Sequence, residues 1–388
     1  MPDLPNKKFT YKHKAMNLSL LRHILLMATC ALTATLSSCS MMETDLSNCP
    51  TGLYVSFKYD YNVQRADMFK DHVGGVSVYV FDENNRFVTK KDAENVAGSG
   101  PLKEYGYTMH FTENELPAGN YRLLAWAQQK GYEATLASPG AKFRRTELQP
   151  GDDISLLTVT LDREATGSDG FAPVPNDNQP LDTLWATRNP EAHHITLKRG
   201  CPTRDTLSLV RDTKQLNITL RQTESPELLR AEDYDVRIMD KNGRLLYDNA
   251  TDPTDTPLCY TPYAQWTSNL QQPAQAAARA EAVLANTAHY EFFLNRIIYH
   301  ASSDDNARLT ITNRETGELA ADIDLADILS DGRRCFELAN YSPQEFLDRE
   351  YQYSLDFILT GGKWVEITLR ISIMDWAKRY QRVDLGNK

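Results

Sequence analysis

Period-two alternation of apolar residues predicts an all-β fold for this 388-residue chain, and its turn chemistry and length extend that reading to two β-sandwich domains. Leu53, Val55, Phe57 and Tyr59 fall on one face of a strand. Val76, Val78 and Val80 do the same in the next, with Ser77 and Tyr79 opposite. Turn clusters such as Asp82-Glu83-Asn84-Asn85 and Pro117-Ala118-Gly119-Asn120 bound these segments at the short intervals of a sandwich or barrel. From Cys39 to Lys388 the chain is longer than one hydrophobic core usually serves. The expected organisation is a leader over residues 1–38, a polar tether over 39–48, and sandwiches over 49–200 and 201–388.

The elements follow in order. After the strand Leu53 to Tyr59, Arg65 to Val73 suits one or two helical turns, and Asp82 to Asn85 turns the chain into Phe87-Val88. Strands are expected at Tyr105 to Phe111, Tyr121 to Ala127 and Ile154 to Leu161. Thr166 to Pro180, rich in Gly, Pro, Asn and Asp, reads as an exposed loop. Strands resume at His194 to Leu197, Leu207 to Val210, Leu216 to Leu220 and Tyr234 to Met239. There Asn242-Gly243 signals a hairpin returning through Leu245 to Tyr247. Alanine-rich Pro273 to Ala288 predicts a helix with proline in its first turn. Strands Glu291 to Tyr299 and Arg308 to Thr312 and a short helix Asp324 to Leu329 come next. Ser342-Pro343-Gln344-Glu345 combines a capping serine, an N1 proline and an N3 glutamate, so a helix should run to Arg349. Tyr353 to Thr360 then turns at Gly361-Gly362 into Trp364 to Ile373. Val365, Ile367, Leu369, Ile371 and Ile373 share a face too apolar to expose, so this hairpin belongs in the core. Only residues 374–388 remain for a detachable arm, and a partner is expected at a sheet edge or groove.

The first residues carry an address. Ile24 to Leu36 is too short to span a bilayer and right for the apolar core of a secretory signal. Lys7, Lys8, Lys12, Lys14 and Arg22 supply its positive flank, and Met16 offers a second, more compact start. Leu36-Ser37-Ser38-Cys39 is the acceptor pattern of a bacterial lipoprotein, so Cys39 is expected to carry the lipid. Acyl chains there would hold the body to an outer membrane. The other reading is a plain cleaved signal with Cys39 incidental. The chain carries a net charge of −10 with its basic flank included. Such a body does not track a phosphate backbone, which excludes nucleic acid as partner.

Cys30 leaves with the leader, and Cys49, Cys201, Cys259 and Cys335 remain in an oxidising compartment, where four thiols suggest two disulfides. Three connectivities are open. One bridge per domain, Cys49 to Cys201 and Cys259 to Cys335, is the expectation. No catalytic, cofactor or metal motif is present: the histidines are scattered, and His193 and His194 would face opposite ways in a strand. Asp304-Asp305-Asn306 and Asp322, Asp324 and Asp327 lack EF-hand spacing and read as solvated loops. Trp126, Trp185, Trp364 and Trp376 sit in or beside apolar strands and read as core.

Cys49 to Asn62, Ala66-Asp67-Met68-Phe69 and Val76 to Asp82 resemble the opening of the FimB-type fimbrial anchor family, lipoproteins at the base of type V pili. The likeness continues at Leu116 to Tyr121 with Ala125-Trp126, at Ile238 to Leu245, and at Leu347-Asp348-Arg349 with Ile371 to Trp376. It implies two tandem transthyretin-like Greek-key β-sandwiches with short helices, no enzymatic activity and no cofactor. It also implies assembly with fimbrial shaft subunits by strand complementation, at a surface-exposed position on the outer membrane. Between Cys39 and Leu53 there is no Arg or Lys, so a basic-specific protease cannot trim this segment, which suits an anchor that stays joined to its lipid. The runner-up is a surface glycan-binding lipoprotein or pilus tip adhesin. Exposed aromatics would favour it, and buried tryptophans the anchor.

Overall fold

In the computed structural model, which describes residues 50–222, 225, 228–271, 284–334, 338–360, 363–373 and 376–383, strands dominate. The first half contains β1 (Gly52–Lys58), α1 (Phe69–His72), β2 (Gly75–Asp82), β3 (Phe87–Glu94), β4 (Thr108–Phe111), β5 (Gly119–Gln128) and α2 (Tyr132–Leu136). It continues with β6 (Phe143–Arg145), β7 (Val159–Leu161), β8 (Ala172–Pro173), β9 (Leu184–Thr187), β10 (His194–Leu197) and β11 (Pro202–Arg211). The second half contains β12 (Lys214–Gln222), β13 (Tyr234–Asp240), β14 (Arg244–Leu245), β15 (Leu258–Tyr260), β16 (Ala264–Gln271) and β17 (Leu284–Leu294). It closes with β18 (Arg308–Asn313), β19 (Leu319–Asp324), α3 (Leu325–Ser330), α4 (Pro343–Arg349), β20 (Gln352–Thr360), β21 (Lys363–Ile373) and β22 (Trp376–Val383).

An eight-stranded sheet runs β3-β2-β5-β9-β11-β1-β4, with β10 beside β5. It curls on itself, because Leu53, Val55 and Phe57 of β1 meet Val78, Val80 and Leu123 of β2 and β5 in one buried cluster. Its other face is covered as well. Tyr79, Phe81 and Trp126 pack with Phe143, Val159 and Leu161 of a three-stranded sheet, β14-β7-β6. Burial on both faces is why β2 is buried at seven of its eight positions, Ser77 included.

The chain crosses at Asp212-Thr213 into a six-stranded sheet, β16-β17-β12-β20-β21-β22. Leu216, Ile218 and Leu220 on its inner face pack on Val236, Ile238, Leu309 and Ile311 of a five-stranded sheet, β19-β18-β13-β15-β8. The halves interlock: β14 pairs with β7, Arg244 opposite Thr160, and β8 pairs in parallel with β15. The terminal hairpin lies in the core as expected, with Leu355, Phe357, Ile367 and Leu369 buried and β20 paired to β12.

Several local expectations are met through local chemistry. The Ser342 side chain accepts the Glu345 N–H at 3.1 Å and opens α4, and Asp324 accepts the Asp327 N–H at 2.9 Å and opens α3. Others are corrected. The Asn242-Gly243 hairpin does not form: β13 pairs with β15 and β18, while β14 leaves for β7. Asn242 is buried, donating to the Arg296 carbonyl at 3.0 Å and accepting the Tyr260 hydroxyl at 2.6 Å. A Cβ on Gly243 would meet Asp255, Arg163 and Leu258 within 3 Å, so this glycine serves close packing and not a turn. The alanine-rich helix fails over residues 284–288, which are strand β17 paired with β12 and β16. Its earlier part lies outside the described residues. Ile154 to Leu156 is a 3₁₀ turn capped by Asp153, so the strand there shrinks to β7. The loop Thr166 to Pro180 contains the short β8, and α2, β6, β9, β15, β16 and β19 appear where no element was expected; β22, in the segment expected to be a detachable arm, is a strand paired to β21.

Candidate functional site

A sheet edge presents unpaired backbone N–H and C=O groups, and natural proteins blunt such edges by shortness or by charge. The outer strands here nearly all do so. β4 and β10 have four residues each and β8 two, β3 carries Lys90, Lys91, Asp92 and Glu94, and β19 carries Asp322 and Asp324. The β22 sequence holds Lys378, Arg379 and Arg382.

β16 is different. Its eight residues, Ala264 to Gln271, include no charge and no proline. They pair along their full length with β17 alone among the described residues, from Ala264 opposite Glu291 to Gln271 opposite Leu284. The strand is anchored from below, where Thr267 Oγ1 accepts the Ala231 N–H at 2.9 Å. Its start borders an open groove of about 380 Å³ lined by Asn178, Asp235, Tyr263, Ala264, Gln265 and Arg314. Arg314 is fixed there by the Asp235 carboxylate at 3.3 Å and the Tyr234 carbonyl at 3.2 Å. Burial beside Glu291 raises the Tyr263 hydroxyl well above its ordinary pKa, so it stays a neutral donor. Trp266 projects from this edge, 43% exposed, with its ring stacked on His289 at 5.0 Å. The site therefore offers backbone hydrogen bonds, a polar groove and one aromatic face.

A second cluster holds several strongly perturbed ionisable groups. At the crossing between the large sheets, Lys214 is fully buried and donates to the backbone carbonyls of Arg211 (3.1 Å), Asp348 (3.4 Å) and Glu350 (2.9 Å). Arg296 grips Asp348 through both carboxylate oxygens and also donates to the Asn249 carbonyl. Asp212 accepts from Asn249 at 2.7 Å. Burial pushes the Asp212 and Glu350 carboxyls up to about 7 and Lys214 down to about 8. One aromatic network through Trp185 borders the joint. The Arg211 guanidinium lies 4.1 Å from the Tyr351 ring and 5.7 Å from Trp185, and Tyr59 meets Trp185 edge-on at 5.9 Å. None of these groups lines the groove, and their partners are backbone and each other. The cluster ties the two halves of the chain together through backbone and ion-pair contacts.

Cys39, Cys49 and Cys335 lie outside the described residues. Cys201 is exposed and Cys259 buried, and the two form no disulfide among the described residues. His193 is buried with its Nδ1 3.0 Å from Asp205, while His194 faces solvent, so the pair diverges as expected. Asp322 pairs with Arg308 and Asp324 caps α3, and no group of metal-ligating side chains gathers among the described residues. Trp126 and Trp185 are both 1% exposed and belong to the core, as expected. The side chains of Trp364 and Trp376 lie outside the described set. The edge β16 and Trp266 were not singled out in the sequence, although an uncharged run between turn residues is the signal that marks them.

The model of the fimbrillin-A associated anchor proteins Mfa1 and Mfa2 matches residues 46–382. The chain belongs to this fimbrial anchor family. Its members are structural anchors and not enzymes, and this chain is a fimbrial anchor subunit. Among solved structures it is similar to a candidate polysaccharide-binding protein of Bacteroides thetaiotaomicron, at 28% identity and a TM-score of 0.64, covering 86% of this chain and 99% of the other. A candidate adhesin from the same organism is 24% identical with a TM-score of 0.65, over 85% and 98% of the two chains. The anchor protein Mfa2 of Porphyromonas gingivalis shares the fold at 15% identity and a TM-score of 0.54, over 85% and 99%. No curated protein matches the chain. Among the described residues no helix is long and apolar enough to cross a membrane.

Proposed function

We propose that this anchor subunit holds its pilus through the β16 edge, where an extended strand of a shaft subunit adds beside Ala264 to Gln271. The observation that carries the proposal is that β16 is a long uncharged strand with one neighbour among the described residues. Main-chain hydrogen bonds would supply the pairing and the groove at Tyr263 and Arg314 the register. Cys39 carries the lipid that ties this assembly to the outer membrane, with two tandem sandwich lobes projecting from it. The start of β1 in register with β11, Gly52 opposite Pro202, supports a bridge between Cys49 and Cys201, which non-reducing peptide mapping would detect. Capture of purified shaft subunits tests the edge: Gln265→Lys, a charge on an exposed edge residue, should abolish capture while leaving the melting curve unchanged. Undiminished capture removes β16 from the interface. Cys39→Ser should release soluble or unprocessed protein, and an unmodified Cys39 in the mature wild type would end the lipid reading. Deleting the gene should shed pili into the medium.

The adhesin reading draws on Trp266 alone, whose exposed ring could stack on a sugar. Burial of Trp126 and Trp185 favours the anchor.

A further inference from the structure

The strongest unassigned feature lies on the outer side of the joint, where arginine and tyrosine rings alternate across both halves of the chain. The guanidinium carbons of Arg188 and Arg349 lie 4.1 and 3.9 Å from the Tyr61 ring centre, so their separation cannot exceed the total of those distances. Arg349 also lies 4.7 Å from the Tyr341 ring. Arg65 follows at 5.8 Å from that ring and donates to the Tyr341 hydroxyl at 3.1 Å. Of these three arginines only Arg349 has a carboxylate partner among the described residues, Glu345 at 3.0 Å. The nearby acids are engaged elsewhere. Asp348 is held by Arg296, Asp60 accepts the Ser208 hydroxyl, and Asp67 accepts the N–H groups of Tyr59 and Phe69.

We propose that the ladder Arg188, Tyr61, Arg349, Tyr341 and Arg65 is a docking site for an acidic, extended segment of a partner protein. Arg65 and Arg349 each give their Nε–H to a neighbour, Tyr341 and Glu345, and their terminal amino groups, together with the Arg188 fork, are the N–H donors offered for bidentate recognition of carboxylates. The tyrosine faces carry arginines, which leaves no bare ring for a sugar. An extended peptide presents same-face side chains about 6.6 Å apart, a spacing within the limit set for Arg188 and Arg349. In a chain of net charge −10, the guanidinium groups of Arg65 and Arg188, which have no carboxylate partner among the described residues, give an anion a point of attraction on an otherwise acidic protein. Tyr61 lies just past the C-terminal end of β1, roughly 20 Å of strand from Gly52.

The test uses the purified full chain and a fluorescent hexaglutamate peptide, read by anisotropy at low and high salt, and needs no pili, so it can fail independently of the fimbrial reading. The double variant Arg65→Gln, Arg188→Gln should weaken binding at least tenfold. Arg204→Gln, a control at an exposed arginine that lies alone 5.0 Å from the Tyr54 ring, should change it less than twofold. Arg188→Lys should fail to restore binding despite keeping the charge. If the double variant melts early, Arg65→Gln alone, at an exposed residue, should still weaken binding about threefold. Wild-type chain that ignores the peptide at low salt, or a double variant that binds like wild type, overturns the proposal. Polygalacturonate that binds more tightly than peptide at equal charge, and is lost in the double variant, overturns the peptide class in favour of an acidic glycan.

Discussion

The joint at Asp212 and the edge at β16 are opposites in composition. The joint concentrates Asp212, Lys214, Arg296, Asp348 and Glu350 in the interior. The edge carries no charge over eight residues and leaves half of its backbone groups unpaired among the described residues. Perturbed ionisable groups ordinarily direct attention to a functional site, yet here they hold two sheets in register. The surface suited to assembly is marked by what it omits. In a protein that works by backbone pairing, chemistry concentrates where the structure must not move, and its absence marks where another chain can enter.

That contrast can be broken from either side. The largest effect is expected at Arg296→Ala, which strands Asp348 as an unpaired, largely buried charge. Loss of one partner of a buried pair costs about 3–5 kcal/mol, and urea unfolding would show it; a cost below 1 kcal/mol would mean that water already enters the joint. Next comes pH. Asp212 and Glu350 have folded pKa values raised by burial to about 7, so folding holds their protons. Their stabilising contribution is complete below the ordinary carboxylate range and is lost as pH rises through 7. The neutral isosteres Asp212→Asn and Glu350→Gln should thus melt with wild type near pH 5 and above it near pH 8. Lys214, pushed down to about 8, acts with the opposite sign, adding stability only above pH 8. Melting curves that stay parallel over this range would mean both carboxylates are solvated.

Smaller effects belong to the periphery. Ser342→Ala removes the α4 cap and should cost about 1 kcal/mol, measurable as a lowered urea midpoint. Trp266→Ala, at a half-exposed ring, should cost at most about 1 kcal/mol, the scale of one aromatic contact. A larger loss in thermal unfolding would make Trp266 part of the fold and disqualify it as a contact surface.

The legibility of each region follows the range of its physics. Ser342 with Glu345 and Asp324 with Asp327 were readable because their hydrogen bonds span three residues. The alternation of Leu216, Ile218 and Leu220 was readable because the core lies on one side of the sheet. Asn242-Gly243 misled because the asparagine amide is used by Arg296 and Tyr260, distant in sequence. Ala285 and Ala288 favour helix locally, but strand partners on both sides of β17 override that preference. The edge β16 was hidden for the reason that makes it usable: Gln265, Trp266, Thr267 and Ser268 give no apolar stripe to find. The joint was equally hidden, since Asp212, Arg296 and Glu350 meet only after folding.

The position of β1 has a mechanical consequence. It is the first strand after residue 50, yet it lies inside its sheet, parallel to β11 from Gly52 opposite Pro202 to Lys58 opposite Ser208 and antiparallel to β4 on its other side. Tension directed along this strand would shear its ladder, with all seven residues paired to β11 bearing the force together. A strand pulled crosswise would instead open like a zipper, one rung at a time. Resistance to pulling is governed by the rate of unfolding and not by the free energy of the folded state. An internal strand loaded in that direction would keep that rate low.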